Sequence, residues 1–267
     1  MAGINQFIDP QSLFKLGGLF DDDADTTVVS DIDASPTELL GVVVVSADAA
    51  ATYLKLFDDK APTNGTDKCD FQFRIAASGS LFCVFYPPYP RFDVALSYLV
   101  SSAAGTPAGS NPSTPPDVYI WTSGGVLRAT PATESAAQQT ATVEISQSNL
   151  NTALASRMRH VAKLTATAGQ FVSNKKFFGG LVDNSLNTAA HSWLKMYDAS
   201  SGPTVGTTDP ALIFRANKGK LLRFGIWSGI PQASGSNNWY GACVSEGGGT
   251  EGNTAPTNDV QVRLAFE

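Results

Sequence analysis

Histidine and cysteine are scarce in this chain. There are two histidines, His160 and His191, and three cysteines, Cys69, Cys83 and Cys243. No two cysteines have C-x-x-C spacing, and an odd, scattered set suits neither a disulfide framework nor a zinc site. Buried free thiols are expected. The H-E-x-x-H and G-x-x-x-x-G-K-[ST] signatures are missing. Gly225-Ile226-Trp227-Ser228-Gly229 has its serine one place away from a G-x-S-x-G nucleophile elbow. Metalloprotease, P-loop and hydrolase chemistry therefore lack their residues.

Charge is sparse too, at 16% of residues. Lys and Arg are not massed into the basic stripe that marks a nucleic-acid footprint, so no nucleic-acid partner is expected. The apolar run Leu39 to Val45 is far shorter than the roughly 20 residues of a membrane helix. It is β-branched and reads as a buried strand, so no membrane partner is expected either. The N-terminus has no basic stretch leading into an apolar one, and no secretory leader is expected.

What is present is a repetition. Tyr53-Leu54-Lys55-Leu56-Phe57-Asp58 is echoed by Trp193-Leu194-Lys195-Met196-Tyr197-Asp198, and Pro62-Thr63-Asn64-Gly65-Thr66 by Pro203-Thr204-Val205-Gly206-Thr207. Phe73-Arg74 then recurs as Phe214-Arg215, and Leu99 to Thr106 aligns with Cys243 to Thr250. Both copies end in an extended run after an aspartate, at Asp117 and Asp259. One unit has been used twice. The expected organisation is an N-terminal arm over 1–35, unit 1 over 36–127, a connector over 128–175 and unit 2 over 176–267.

Within each unit, short runs rich in Val, Phe, Tyr, Leu and Ile alternate with Pro/Gly/Asn/Thr clusters, the pattern of a sandwich or barrel. The expected fold is all-β, with two tandem jelly-roll-like β-sandwich domains. In the connector, Leu150, Leu154, Met158, Val161 and Leu164 have helical spacing, with Ser148 placed to cap them. One short helix is expected near 149–161. It would carry Arg157, Arg159, His160 and Lys163, either as a solvated face or as a docking face for an acidic arm.

The arm holds most of the chain's charge imbalance. Its first 38 residues carry eight acids against Lys15, while the rest of the chain is near neutral. Asp21-Asp22-Asp23-Ala24-Asp25 offers the carboxylates a calcium ion would take, but lacks the glycine and glutamate of an EF-hand loop. A solvated acidic stretch is expected there, and no metal or other cofactor.

The recurring polar residues are Lys55/Lys195, Asp58/Asp198 and Arg74/Arg215. Asp58 and Asp198 precede the Pro-Thr-x-Gly-Thr turn, where aspartate commonly binds backbone amides. Arg74 and Arg215 close the next strand. All four are expected to fix turns, by Asp–amide bonds and an Arg–Asp pair, and no catalytic residue is assigned. His191 has no counterpart, since Ala51 stands there, so it is expected to be structural. The candidate interface residues are aromatic: Phe14 and Phe20 in the arm, Phe85, Tyr86 and Tyr89 in unit 1, and Trp227, Trp239 and Tyr240 in unit 2. Aromatics on rigid loops suit recognition of a partner or a sugar.

The series Leu54-Lys55…Phe57-Asp58, Pro62-Thr63-Asn64-Gly65-Thr66, a strand, a Gly/Thr-rich loop and the closing Asp117-Val118 strand resembles small β-sandwich virion proteins of tailed bacteriophages. The likeness covers both units, but neither the arm nor the connector. It implies a non-enzymatic virion component on the capsid surface, a decoration or minor head protein contacting the major capsid protein or other virion proteins. It transfers no catalytic residue. Symmetric assembly is usual for such proteins, and a homo-oligomer, with a trimer favoured, is the expected state. A double-jelly-roll major capsid subunit and a receptor- or carbohydrate-binding module are the alternatives.

Overall fold

A computed structural model of the chain describes residues 18–29, 32, 36–123, 127–130 and 158–267. The arm contributes β1 (Gly18–Asp21). The first copy supplies β2 (Thr37–Val45), β3 (Thr52–Asp58), β4 (Phe71–Ile75), β5 (Ser80–Tyr86), β6 (Arg91–Phe92), β7 (Leu96–Ser101) and β8 (Asp117–Thr122). Next come β9 (Leu127–Thr130), β10 (Met158–Leu164) and β11 (Gly169–Ser173). The second copy supplies β12 (Phe177–Asp183), β13 (Ser192–Ala199), β14 (Leu212–Ala216), β15 (Leu221–Ile230), β16 (Asn238–Val244) and β17 (Val260–Phe266). The fold is all-β, a sandwich of two sheets, with no helix among the described residues.

One sheet has ten strands in the order β10-β17-β12-β15-β5-β2-β8-β1-β9, with β6 beside β2, and the other has seven, β11-β16-β13-β14-β4-β3-β7. Period-two patterning places the strands. In β5, Leu81, Cys83 and Phe85 face the core while Ser80, Phe82, Val84 and Tyr86 face outward.

The two β-sandwich units join edge to edge in both sheets. β14 pairs with β4 through Ile213↔Gln72, and β15 pairs with β5 through Gly225↔Val84. Both are equivalent positions of the repeat, each pair 141 residues apart. A pseudo-twofold axis therefore passes through both central strand pairs, and the chain is an internal dimer. Aromatic rings fill the core along this axis. Phe214 stacks on Phe224 with centroids 4.1 Å apart, Phe73 meets Phe214 edge-on at 5.7 Å, and Phe71 meets Phe85 edge-on at 5.5 Å.

The described part of the arm is held by its own chain. β1 inserts between β8 and β9, and Val29 bridges to Tyr98 in β7, so the arm touches both sheets. The helix expected near 149–161 is corrected: Met158, Arg159, His160 and Val161 lie in β10, paired residue by residue with β17. Residues 149–157 lie outside the described residues. Helical spacing requires Val161 and Leu164 on one buried face, yet Leu164 is buried and Val161 is 67% exposed. The period-two set ending in Ala162 and Leu164 prevails because β17 offers an edge to pair with.

Two halves that share both sheets should unfold together. Calorimetry is expected to give one transition whose van't Hoff and calorimetric enthalpies agree; two resolved transitions would contradict the continuous sheets.

Candidate functional site

The repeated charges meet at the seam between the copies. Arg74 of unit 1 pairs with Asp198 of unit 2, and Arg215 of unit 2 pairs with Asp58 of unit 1 at 3.0 Å. The expected Arg–Asp pairing therefore forms between the copies, across the axis. Arg215 has a second carboxylate, Asp70, at 3.1 Å. Among the described residues Arg74 has no second carboxylate, since Ala211 occupies the position equivalent to Asp70. The Arg215 guanidinium also lies 5.0 Å from the Phe92 ring centroid.

The aspartates do not bind the turns that follow them in sequence. Asp58 accepts from the amides of Asp93 (3.1 Å) and Val94 (2.7 Å), in the loop before β7. Asp198 accepts from the Ala233 amide and from Asn237 Nδ2 (2.9 Å). Burial works to raise the Asp58 carboxyl, but the Val94 amide and Arg215 outweigh it and hold it below its ordinary value. The Pro-Thr-x-Gly-Thr turns close on themselves, with Thr66 N donating to Thr63 O and Thr207 N to Thr204 O. Gly65 and Gly206 recur there because both have φ near +90° (87° and 95°), a region that favours glycine.

Further hydrogen bonds cross the axis. Thr106 N donates to Thr250 Oγ1 at 3.1 Å, and Thr250 N to Thr106 Oγ1 at 3.0 Å. Gln72 Nε2 donates to Pro210 O at 2.6 Å. The repeated lysines are buried beside them. Lys55 Nζ reaches Pro107 O at 3.3 Å, and Lys195 Nζ reaches Gly252 O at 2.7 Å. Burial, with Lys68 second, brings Lys195 down to about 8. Its ammonium tethers the loop between β16 and β17.

The candidate interface aromatics divide. Phe85 and Trp239 are corrected to core residues. Phe85 is on the inward-facing set of β5, and Trp239 packs on Phe177 while its Nε1 donates to Lys175 O at 2.9 Å. Both belong to strands, where alternation rather than local composition sets the face. Phe20, packed on Tyr119, and Tyr240, in a separate small cluster with Tyr197 and Ala242, are likewise corrected to buried residues, while Tyr89 is half-buried against the core. Phe14 lies outside the described residues. Tyr86 is half-buried on the outer face of the ten-stranded sheet, and Trp227 is 42% exposed.

That outer face is apolar. The register aligns Phe82 with Val43 and Val43 with Tyr119, and Val84 with Gly41 and Gly41 with Trp121. Trp121 lies so close over Gly41 that a Cβ there would come within 3.2 Å of its ring. Val45 is 46% exposed on the same face. At one end of this sheet lies a cleft of about 430 Å³ lined by Lys175, Lys176, Phe178, Pro231, Gln232 and Glu267. Gln232 Oε1 accepts from Lys175 N, whereas its buried Nε2 has no partner among the described residues. Neither lysine stood out in the sequence. Two adjacent cations before a strand were the only sign, and the sheet register alone shows what faces them.

Asp21, Asp22 and Asp23 bring carboxylates within 4.8 Å of one another. Asp25 is outside this group and holds Thr27 N and Asn111 Nδ2. Asp21 is buried and accepts from Tyr98 Oη; burial, only partly offset by Tyr98, pushes its carboxyl up to about 6. The three cysteines are buried free thiols, with burial raising Cys69 to about 12. His191 accepts from Lys218 N at 3.3 Å and meets Trp193 edge-on.

No family model matches the chain, and no curated protein matches it. Among solved structures, the chain is similar to the PBSX exported protein XepA, with 9% identity, 91% of this chain and 85% of that chain covered, and a TM-score of 0.17. It is similar to the oxalate decarboxylase of Lactobacillus farciminis in its formate complex (8% identity, 91% and 77% covered, TM-score 0.15) and to the 7S globulin of Momordica charantia (9% identity, 87% and 68% covered, TM-score 0.17). Likeness at this level carries no argument about function.

Two outcomes are expected at this site. Arg215→Met leaves Asp58 and Asp70 buried without their cation and should destabilise the fold by about 3–5 kcal/mol in denaturant titrations. Asp21 binds its proton more tightly folded than unfolded. Its contribution is therefore greatest below about pH 4 and is lost as pH rises towards about 6. Asp21→Asn keeps an acceptor for Tyr98. It should raise stability at pH 7, by at most about 3 kcal/mol, and leave pH 3.5 nearly unchanged.

Proposed function

We propose that this chain is a non-enzymatic virion structural protein, a capsid decoration or minor head protein that binds the outer capsid and stabilises it through subunit interfaces. The observation that carries this reading is where the repeated charges go. Asp58, Arg74, Asp198 and Arg215 are buried against each other across the internal axis, where they brace one half on the other. The broad apolar face around Trp227, Val45 and Phe82 is left for an interface between subunits. A block braced in this way, with an arm tied to both sheets, suits a protein that works by making interfaces. A receptor- or carbohydrate-binding module is the second reading, favoured by the cleft in which Gln232 Nε2 lies buried and unpartnered beside two lysines.

Co-sedimentation with emptied tailed-phage heads that lack this protein tests the first reading. Saturable binding that raises the temperature at which the heads rupture is expected. Absence of binding, together with selective capture of the chain on a glycan array, would replace it with the second.

A further inference from the structure

We infer that the outer face of the ten-stranded sheet is a self-complementary docking surface for a second copy of this chain, related by a twofold axis parallel to β5. The inference rests on this face alone and holds whether or not the protein is part of a virion.

Strand order carries the argument. From β12 to β8 the sheet reads β12-β15-β5-β2-β8, with β5 in the middle. One strand away on either side are Trp227 on β15 and Val45 on β2, two large apolar side chains left well exposed at 42% and 46%. Phe82 lies between them on β5, opposite Val43. Two strands away, at the same end of the sheet, the charges are opposite. Exposed Lys175 and Lys176 lead into β12, while Asp117 opens β8 with exposed Asp22 after neighbouring β1. Glu267 shares the lysine side and Asp23 the acidic side. At the far end, exposed Arg223 on β15 and half-exposed Glu38 on β2 repeat the same opposition about β5.

Consider a second copy turned over about β5. Its β8 lies above β12, and its β2 above β15. Asp117 and Asp22 then face Lys175 and Lys176, Glu38 faces Arg223, and Trp227 rests on Val43 and Val45. Each contact occurs twice, as an isologous interface requires. A twofold axis in the sheet plane but perpendicular to the strands would instead lay β12 on β12 with its ends reversed, parting Lys175 and Lys176 from Asp117 and Asp22. The Asp117 carboxyl is already raised by burial and by Asp22, so a cation arriving there relieves a like-charge contact. The seven strands from β17 to β1, at about 4.8 Å spacing and about 20 Å of strand length, offer roughly 670 Å² per copy, within the range of a standard interface. The trimer expected from the sequence needs two different patches meeting head to tail; this face matches itself.

Sedimentation equilibrium of the full chain should give a dimer. Trp227→Glu should weaken it at least 30-fold, as loss of a central aromatic anchor does, with an unchanged melting temperature for the monomer. Lys175→Glu/Lys176→Glu and Asp22→Lys/Asp117→Lys should each be monomeric alone and form a heterodimer when mixed, because mixing restores both charge contacts. That rescue separates docking from folding defects. A trimer, a dimer insensitive to Trp227→Glu, or variants that stay monomeric on mixing would overturn the proposal. So would a wild-type monomer whose tryptophan emission is shielded from quencher, since another segment of the same chain would then cover the face. Capsid binding is not part of this readout, so either reading can fail alone.

Discussion

The exchanged Arg–Asp pairs across the internal axis are the constraint on which the rest of the structure depends. A buried ion pair adds little net stability over a well-packed apolar alternative, but breaking one is costly. Its value here is register. A one-residue slip of β14 along β4 would turn the side chains of β14 to the opposite face and part both arginines from their carboxylates. With register fixed in the seven-stranded sheet, the Phe71, Phe73, Phe85, Phe214 and Phe224 rings meet in one core. β5 and β15 are then held in the pairing that makes the ten-stranded sheet continuous.

The repeat and its strands were legible because both leave local marks. Period-two alternation in Leu54/Leu56 against Lys55, or Val260/Val262 against Gln261, needs no knowledge of neighbours. What failed were inferences about neighbours. Asp58 precedes one turn in sequence but holds the amides of another, because β3 ends beside the loop before β7. The Arg–Asp pair was expected, but not its exchange between copies, since a repeat looks the same whether its units pair within or across. Met158 to Leu164 fits two periods at once, and only the edge of β17 decides between them. Phe85 and Trp239 sit in aromatic-rich stretches whose composition says nothing about which face each ring takes.

The lysines show how repetition serves position. Lys55 and Lys195 look like surface residues by alternation, since they point away from the sandwich interior. The loops after β7 and β16 fold back over them, and each ammonium finds a backbone carbonyl there. Charges that recur in both copies are thus drawn inward as ties between strand and loop. His191, Asp70 and Lys175-Lys176 occur in one copy only, and this set is where the two halves become different.

Such difference is what fusing two copies permits. A dimer of identical chains must carry the same charge at every pair of positions related by its axis, so its outer face cannot oppose cations on one side to acids on the other. In this chain the corner at Lys175 and Lys176 is matched, across the pseudo-twofold axis, by the start of β2 with Thr37 and Glu38. One corner has become basic while its counterpart is neutral to acidic. The core and seam keep the internal symmetry because packing and register demand it, whereas the outer sheet face is released from it. A symmetric scaffold has thereby acquired a polar direction across its broadest apolar surface, and that direction determines which orientation of a neighbouring molecule the face can accept.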